Sequence, residues 1–202
     1  MHRFEEIDWG DHMPVDVPMR FVEMPMLWTV DDVYSPAECK DFVAEIEAAS
    51  PELATNNPIY RDQDRVIRDD PVIAQELFRR LRPHLPSRIG SFSLVGLNER
   101  LRMYRYRAGQ RFPPHMDHWY KHGERVITLH TVLVYFNSNF LGGETRFMEQ
   151  IEQTVVPVPG RVAVFQHKVR HEGCPVIRGT KYAMRTDVLF EASEAIGKLG
   201  DQ

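Results

Sequence analysis

Residues 169–190 read VRHEGCPVIRGTKYAMRTDVLF. The second half of this stretch alternates with a period of two, which is typical of a β-strand with two different faces. Arg178-Gly179 is a turn signal directly before the strand, and His171 lies on the other side of that turn. The strand is predicted to place Lys181, Ala183, Arg185 and Asp187 on an inward face, and Tyr182, Met184, Thr186, Val188 and Phe190 on the opposite face.

Further β patterns precede this stretch, from about residue 91 onward. Residues 101–106 alternate with a period of two, residues 126–136 form a long β-branched and aromatic run, and residues 161–165 form a shorter one. Glycine-rich turn signals separate these runs. Because helical patterns come first and short strands follow, the chain is predicted to be an α+β protein whose strands close into a sandwich or jelly roll.

Two helices are predicted ahead of the strands. SPAE at residues 35–38 has the form of a capping box, and apolar residues then recur at helical spacing over residues 39–46. A second helix is predicted to begin at Asp70-Pro71 and to end before Pro83. Residues 1–26 are expected to form an irregular arm with one short edge strand, and residues 50–64 a loop with one short strand.

Composition and charge narrow the classes of protein that the chain can belong to. The 202 residues carry a net charge of -4, which argues against nucleic acid or an anionic membrane as the main partner. The acidic N-terminal residues do not have the form of a signal peptide, and no apolar run approaches the length of a membrane helix. The two cysteines, Cys39 and Cys174, are expected to be reduced, which favours a cytoplasmic location.

His115-Met116-Asp117 is the first candidate metal motif. On a strand, residues two apart project to the same side, so the imidazole and the carboxylate would aim at one point. Non-haem Fe(II) oxygenases use two histidines and one carboxylate and leave three metal positions open. By itself the motif is weak, because about one such pair is expected by chance in this composition.

His171 and Lys181 strengthen this hypothesis. His171 follows a predicted strand and would supply the third ligand, and Lys181 begins the next strand ten residues later. A keto acid that chelates the metal needs a cation at the far end of its carbon chain, and an inward lysine would supply it. Tyr106 and Tyr135, each on a strand facing the cavity, could donate hydrogen bonds to the same co-substrate, although packing in the core explains both nearly as well.

Four motifs in this order resemble one known family. YRAGQ at 106–110, HMD at 115–117, GGETRF at 142–147 and HEGCPVIRGTKY at 171–182 are similar to the prolyl 4-hydroxylase-like branch of the 2-oxoglutarate/Fe(II) dioxygenases. The resemblance covers about residues 98–190. It implies a single domain over residues 1–202, with an arm and helical layer in 1–90 and a double-stranded β-helix core in 91–192, the helices packing on one sheet.

The resemblance also implies a reaction and a set of roles. His115, Asp117 and His171 would hold Fe(II), Lys181 would bind the 5-carboxylate of 2-oxoglutarate, and Tyr106 and Tyr135 match tyrosines of the family. O2 would be the second co-substrate, with ascorbate as a stimulant of turnover. The expected reaction is hydroxylation of an aliphatic C–H, with a prolyl or other side chain of a protein or peptide as the first hypothesis. The alternatives are a free amino acid or small anionic metabolite, or a metal-binding β-barrel without catalysis.

Four further residues are candidates for contact with the substrate. Arg185 shares the face of Lys181 and could bind a carboxylate or phosphate, or else pair with Asp187 or Glu144. Arg102 has the cavity-facing parity of its strand and is a second candidate for a substrate anion. Trp119 and Tyr120 follow the metal motif and are expected to form a lid or wall above the metal, with exposed surface aromatics as the alternative.

Overall fold

The structure, a computed structural model, describes residues 24–54 and 61–193. Residues 1–23 of the predicted arm therefore lie outside the described residues. Within the described residues the chain forms helices α1 (Pro36–Ala48) and α2 (Pro71–Leu81), with a short 3-10 turn at Arg82–His84. Neither helix in residues 24–54 and 61–193 is long and apolar enough to cross a membrane.

The strands fall on both sides of the helices in the sequence. The first eight are β1 (Leu27–Val30), β2 (Glu52–Leu53), β3 (Asp64–Asp69), β4 (Arg88–Ile89), β5 (Phe92–Leu97), β6 (Arg100–Arg107), β7 (Phe112–His115) and β8 (Lys121–His122). The remaining eight are β9 (Val126–Tyr135), β10 (Leu141–Gly142), β11 (Thr145–Phe147), β12 (Gln153–Val155), β13 (Val162–Gln166), β14 (His171–Gly173), β15 (Val176–Arg178) and β16 (Thr180–Ala192).

These strands form a jelly roll of two main sheets. The major sheet has the order β1-β13-β9-β16-β6-β3-β2, with β5 on β16, β4 on β5 and β8 on β9. The minor sheet has the order β12-β11-β14-β7, and β10 pairs with β15 as a separate ladder. Side chains from both main sheets line one cavity, which therefore lies between the two sheets. The predicted double-stranded β-helix is confirmed.

The two faces of β16 separate the core from the cavity, as the alternation predicts. Met184, Val188 and Phe190 are fully buried in the main hydrophobic cluster, together with residues of α1 and α2. Lys181 and Arg185 face the other way and line the cavity. The helical layer therefore packs on the outer face of the major sheet and leaves the inner face for the site.

Both helices begin where the sequence predicts. The Ser35 backbone N–H donates to Glu38 Oε2 at 2.7 Å, and the Glu38 N–H donates to Ser35 Oγ at 3.3 Å, which completes the capping box. Asp70 Oδ1 accepts from the Ile73 N–H at 3.0 Å at the start of α2. The apolar stripe of α1 (Cys39, Phe42 and Ile46) is buried, and both cysteines are free thiols.

The residues before position 91 also contribute strands to the major sheet. β1 is an edge strand that pairs with β13. It begins at Leu27, whereas the sequence predicts a short edge strand within residues 1–26. β2 is the predicted short strand in residues 50–64. β3 was not predicted, because its sequence DRVIRD has two apolar residues and a weak alternation. It is held by a six-residue ladder with β6 and by the Arg105–Asp64 ion pair at 2.8 Å.

Candidate metal centre

The three predicted ligands converge at one end of the cavity. β7 and β14 are neighbours in the minor sheet, and their register places His115 directly opposite His171. Asp117 follows β7 and lies 3.8 Å from the Nε2 atom of each histidine, through Oδ1 to His115 and through Oδ2 to His171. The three ligand atoms all lie within 4.8 Å of one another, a spacing that suits a single metal ion.

Both histidines are prepared for metal binding by their surroundings. The Nδ1 atoms of His115 and His171 lie 2.8 Å and 3.0 Å from the carbonyl oxygens of Pro113 and Val169, so each Nδ1–H donates and each Nε2 lone pair is left for a metal. Burial lowers the pKa of His115 to about 3, and burial also lowers the pKa of His171. Both imidazoles are therefore neutral near pH 7, the form that binds a metal.

Asp117 is held as a carboxylate by its neighbours. Burial alone would raise the pKa of Asp117, but the Arg185 guanidinium, 3.0 Å from Oδ1, holds it well below its usual range. Thr131 Oγ1 donates to Oδ2 at 2.5 Å. Two neutral imidazoles and one ionised carboxylate on one side of a cavity form the donor set that a divalent iron with open positions takes.

A directed chain of hydrogen bonds supports Asp117. Thr131 Oγ1 lies 2.9 Å from His167 Nδ1, and Thr128 Oγ1 lies 3.0 Å from His167 Nε2. Burial lowers the pKa of His167 to about 4, so this ring is neutral and has one donor and one acceptor. Because Thr131 donates to Asp117, His167 donates from Nδ1 and accepts from Thr128. His167 is therefore a hydrogen-bonded core residue near the site and does not belong to the ligand set.

Lys181 lines the same cavity, on the major sheet. It is 3% exposed, its Nζ donates to the Gly143 carbonyl at 2.6 Å, and it lies 5.1 Å from the ring centre of Tyr106 and 5.5 Å from that of Tyr135. Burial lowers the pKa of Lys181 to about 8. A buried ammonium with three donors is suited to a carboxylate ligand, whose negative charge would in turn favour the protonated form of the lysine.

The two predicted tyrosines have different positions relative to the cavity. Tyr106 lines the cavity. Tyr135 is fully buried beneath it, and its hydroxyl donates to Thr145 Oγ1 at 2.7 Å. The cavity-lining group at that point is Thr145. The Tyr135 hydroxyl therefore reaches the cavity only through Thr145 in this arrangement.

The side chains of Arg185 and Arg102 are largely buried, so they do not lie at an exposed rim of the cavity. Arg185 bonds Asp117 through Nη1 and Asp187 through Nη2, both at 3.0 Å, and it lines the cavity. Arg102 bonds the other oxygen of Asp187 at 3.2 Å and is 8% exposed. The pairing of Arg185 with Asp187 is one of the alternatives that the sequence leaves open, whereas its contact with Asp117 was not predicted.

Neither of the aromatic residues after the metal motif lines the cavity. Trp119 is buried in the main hydrophobic cluster with Lys168 Nζ 4.6 Å from its ring centre, so it is neither a cavity wall nor an exposed surface residue. Tyr120 is half-buried, and its ring centre lies 5.3 Å from Arg102 Cζ. Trp119 therefore does not form the expected lid or wall above the metal, because its large apolar ring is more stable in the core.

Several cavity-lining residues were missed by the sequence analysis. The strand pattern carries a signal for some of them, since Tyr104 has the same parity as Arg102 and Tyr106 on β6. Recognising the others required the register of β9 and β11 and the packing of β13. The missed lining residues include Tyr104, Thr131, Leu133, Thr145 and Phe165.

Comparison with known proteins finds a family model that matches the part of the chain that carries the site. The family model described as the 2OG-Fe(II) oxygenase superfamily matches residues 101–186. The match includes the three candidate ligands and Lys181. A comparison with curated proteins finds no match.

Solved structures share the fold at low sequence identity. A viral collagen prolyl hydroxylase from Paramecium bursaria Chlorella virus-1, in complex with 2-oxoglutarate, has 19% identity and a TM-score of 0.63, covering 83% of this chain and 97% of that chain. A Pseudomonas putida prolyl-4-hydroxylase has 17% identity and a TM-score of 0.61, over 83% and 94% of the two chains. A Trichoplax adhaerens prolyl hydroxylase, bound to a peptide of the hypoxia inducible factor oxygen degradation domain, has 17% identity and a TM-score of 0.63, over 90% of each chain.

The family match and the His-Asp-His cluster agree on the chemistry. The family match implies Fe(II) as the metal, with 2-oxoglutarate and O2 as co-substrates, and the cluster provides two histidines and one carboxylate that could hold the metal. Residues 101–186 therefore match the 2OG-Fe(II) oxygenase superfamily, and this match together with the His-Asp-His cluster supports a dioxygenase.

Proposed function

We propose that this chain hydroxylates an aliphatic C–H of its substrate, with Fe(II) held by His115, Asp117 and His171 and 2-oxoglutarate anchored by Lys181. The observation that supports this proposal most strongly is that the three ligand atoms lie within 4.8 Å of one another in a cavity that also contains a buried lysine. A metal site without the lysine would be compatible with many functions. The pair of features is what a chelating keto acid with a second carboxylate requires.

Iron with 2-oxoglutarate and O2 supplies the oxidising chemistry, and the protein contributes position and surroundings. His115 and His171 keep their Nε2 lone pairs directed at the metal because their Nδ1 atoms are bonded to backbone carbonyls. Thr131 and Arg185 hold the two oxygens of Asp117. These contacts fix the ligands before the metal binds, so little ordering is required at that step.

Apolar side chains keep water from the reacting centre. Leu133 and Phe165 line the cavity, and the ring of Phe165 packs edge-on against that of His171 with 4.5 Å between the ring centres. Phe112 stacks on His115 at 3.6 Å between ring centres. A site walled in this way protects a reactive oxidant from side reactions with solvent.

A prolyl side chain in a peptide or protein is the proposed substrate. The three solved structures with the same fold are all described as prolyl hydroxylases, and one of them holds a peptide. A small acid or free amino acid is the second candidate, favoured by the arginines in and beside the cavity. A metal-binding barrel without catalysis is less well supported, because it would not require Lys181.

The two free thiols favour a reducing compartment such as the cytoplasm.

Anaerobic addition of Fe(II) and then 2-oxoglutarate tests the proposal. Chelation of the metal by the keto acid should give a weak visible absorption band in the unchanged protein. Asp117→Ala should lose the band with its metal, and Lys181→Ala should need a much higher 2-oxoglutarate concentration to develop it. A protein that binds Fe(II) but develops no band with 2-oxoglutarate would contradict the proposal.

A further inference from the structure

Two polar groups in the cavity have no role in the proposed metal and co-substrate binding. The hydroxyl of Tyr104 is buried without a hydrogen-bond partner among the described residues, and so is the Nε atom of Arg185. Both side chains line the cavity that holds the candidate ligands. Buried polar groups are nearly always bonded, so two unsatisfied groups in one cavity call for a ligand that bonds them.

In the register of the major sheet, Tyr104 and Arg185 lie further along the strands than Lys181, the proposed anchor of 2-oxoglutarate. Lys181 is opposite Tyr106, Ala183 is opposite Tyr104, and Arg185 is opposite Arg102. Side chains directly opposite each other lie on one face, and each step of two residues advances about 6.6 Å along the strand. Tyr104 and Arg185 are therefore one and two such steps beyond the Lys181 end, on the same inner face.

A further cation, Arg65, lies beside Tyr104. Arg65 on β3 is directly opposite Tyr104 and shares its face of the sheet. Arg65 is half-buried, and its Nη2 donates to the Ala54 carbonyl at 3.2 Å. Burial lowers the pKa of Arg65. The charges of Arg61 and Arg102 lower this pKa further, as expected where cations crowd together, whereas Tyr104 raises it.

The charges in this part of the site do not balance. Arg102 and Arg185 share the single carboxylate of Asp187, and Arg185 also bonds Asp117. Under the proposed function, Asp117 gives its charge to the metal. The inner face at Arg65, Arg102 and Arg185 then has an excess of positive charge, which favours an anion in a partly dry cavity.

We propose that Tyr104 and Arg185 bind a carboxylate of the substrate, so that the oxidised carbon belongs to a small carboxylic acid or lies close to an acidic side chain of a peptide. Arg65 adds a positive charge beside this carboxylate subsite. The inference rests on the proposed function for the position of the reacting carbon. It makes Tyr104 a specificity-determining residue and separates the substrate anion from the co-substrate anion at Lys181.

Calorimetric titration of the anaerobic protein loaded with Fe(II) and 2-oxoglutarate tests the inference. The first probe pair is N-acetyl-L-proline and its primary amide, which differ in the carboxylate. The second pair is a capped peptide with glutamate beside proline and the same peptide with glutamine. In at least one pair the acid should bind about tenfold or more tightly than its neutral partner, as expected for a charge-assisted hydrogen bond. A preference confined to the first pair would identify a small acid as the source, and one confined to the second an acidic side chain.

Tyr104→Phe removes only the hydroxyl and should reduce the preference for the acid about tenfold. Tyr182→Phe is the matched control, because Tyr182 lies on the opposite face of β16 and its hydroxyl bonds Glu47. The control should keep the full preference. Equal or absent binding of acid and neutral probe in both pairs, or an unchanged preference in Tyr104→Phe, would overturn the inference. The visible band with 2-oxoglutarate separates the two failures, since its presence leaves the proposed function standing.

Discussion

At the scale of single residues, the protonation state and the orientation of each candidate ligand depend on the groups that bond it. Backbone carbonyls select the tautomers of His115 and His171, whereas Thr131 and Arg185 orient the carboxylate of Asp117. Groups that bond a metal ligand commonly change metal affinity by about 10-fold to 100-fold. The metal affinity of this site should therefore respond to residues that never touch the metal.

Thr131→Val should weaken Fe(II) binding by about 10-fold to 100-fold, because Asp117 loses a buried donor while the volume of the side chain is retained. Anaerobic titration with Fe(II) gives the dissociation constant. Thr154→Val, at an exposed threonine of β12, is the matched control and should bind Fe(II) like the unchanged protein. An unchanged dissociation constant in Thr131→Val would show that the threonine does not position Asp117.

The affinity for 2-oxoglutarate should fall as the pH rises, because the pKa of Lys181 is lowered to about 8 and only the protonated lysine attracts a carboxylate. Between about pH 7 and about pH 9 the protonated fraction falls roughly tenfold, and the dissociation constant should rise by the same factor. Titration of the visible band at each pH measures it. Lys181→Arg keeps its charge over this range and should remove the dependence. A flat profile in the unchanged protein would rule out Lys181 as the titrating anchor.

At the scale of elements, β16 and β9 explain why the site lies where it does. Each has one face in the hydrophobic cluster with the helices and one face in the cavity, so packing of the core fixes the direction of the site residues. Val132, Val134 and Met184 are fully buried on one side. Thr131 and Arg185 occupy the other side. A shift of one residue in the register would exchange the two faces, which makes the register strongly specified.

The turn before β13 packs against the segment before α1 at Gly160, whose carbonyl accepts a hydrogen bond from the Val33 N–H at 3.0 Å. Its φ of 80° is in the region that favours glycine, and a Cβ there would overlap the carbonyl oxygen of Tyr34. Gly160→Ala should lower the free energy of unfolding by about 1–3 kcal/mol. Gly96→Ala is the control, because a Cβ at that position meets no atom within 4 Å. Thermal unfolding of both variants measures the difference, and equal melting temperatures would contradict this role of Gly160.

The elements that could be predicted from the sequence are those with a strong local signal. The capping box of α1 and the alternation of β16 each require only neighbouring residues. β3 has no such signal, since it is stabilised by pairing with β6 and by the Asp64–Arg105 ion pair. The contact of Arg185 with Asp117 joins residues 68 positions apart, so it depends on the register of two sheets. Trp119 was assigned to a lid or wall because it follows the metal motif. Its place in the sequence does not indicate that the ring is buried in the main hydrophobic cluster.

At the scale of the whole molecule, buried histidines make the stability depend on pH. Burial lowers the pKa of His130 to about 3, and the ring contacts Trp28 with 5.6 Å between ring centres. An unfolded histidine titrates at about 6.5, so the unfolded chain binds more protons below that pH and stability is lost as the pH falls.

His130→Gln should reduce the loss of unfolding free energy between about pH 7 and about pH 5 by about 2 kcal/mol, because glutamine does not titrate. Denaturant unfolding of the unchanged protein and of the variant at both pH values gives the two losses. A constant destabilisation of the variant at both pH values is acceptable, since only the difference between the losses is tested. Equal losses in the two proteins would show that His130 is not buried in its neutral form.

The central claim is that one cavity holds a metal at His115, Asp117 and His171 and a co-substrate carboxylate at Lys181. A crystal structure of the protein with Mn(II) in place of iron and with 2-oxoglutarate tests it most directly. The expected structure has one ion bound by the two Nε2 atoms and one Asp117 oxygen, with the distal carboxylate of 2-oxoglutarate on Lys181 Nζ. An ion held by other residues, or a 2-oxoglutarate whose distal carboxylate lies on Arg185 instead, would contradict it.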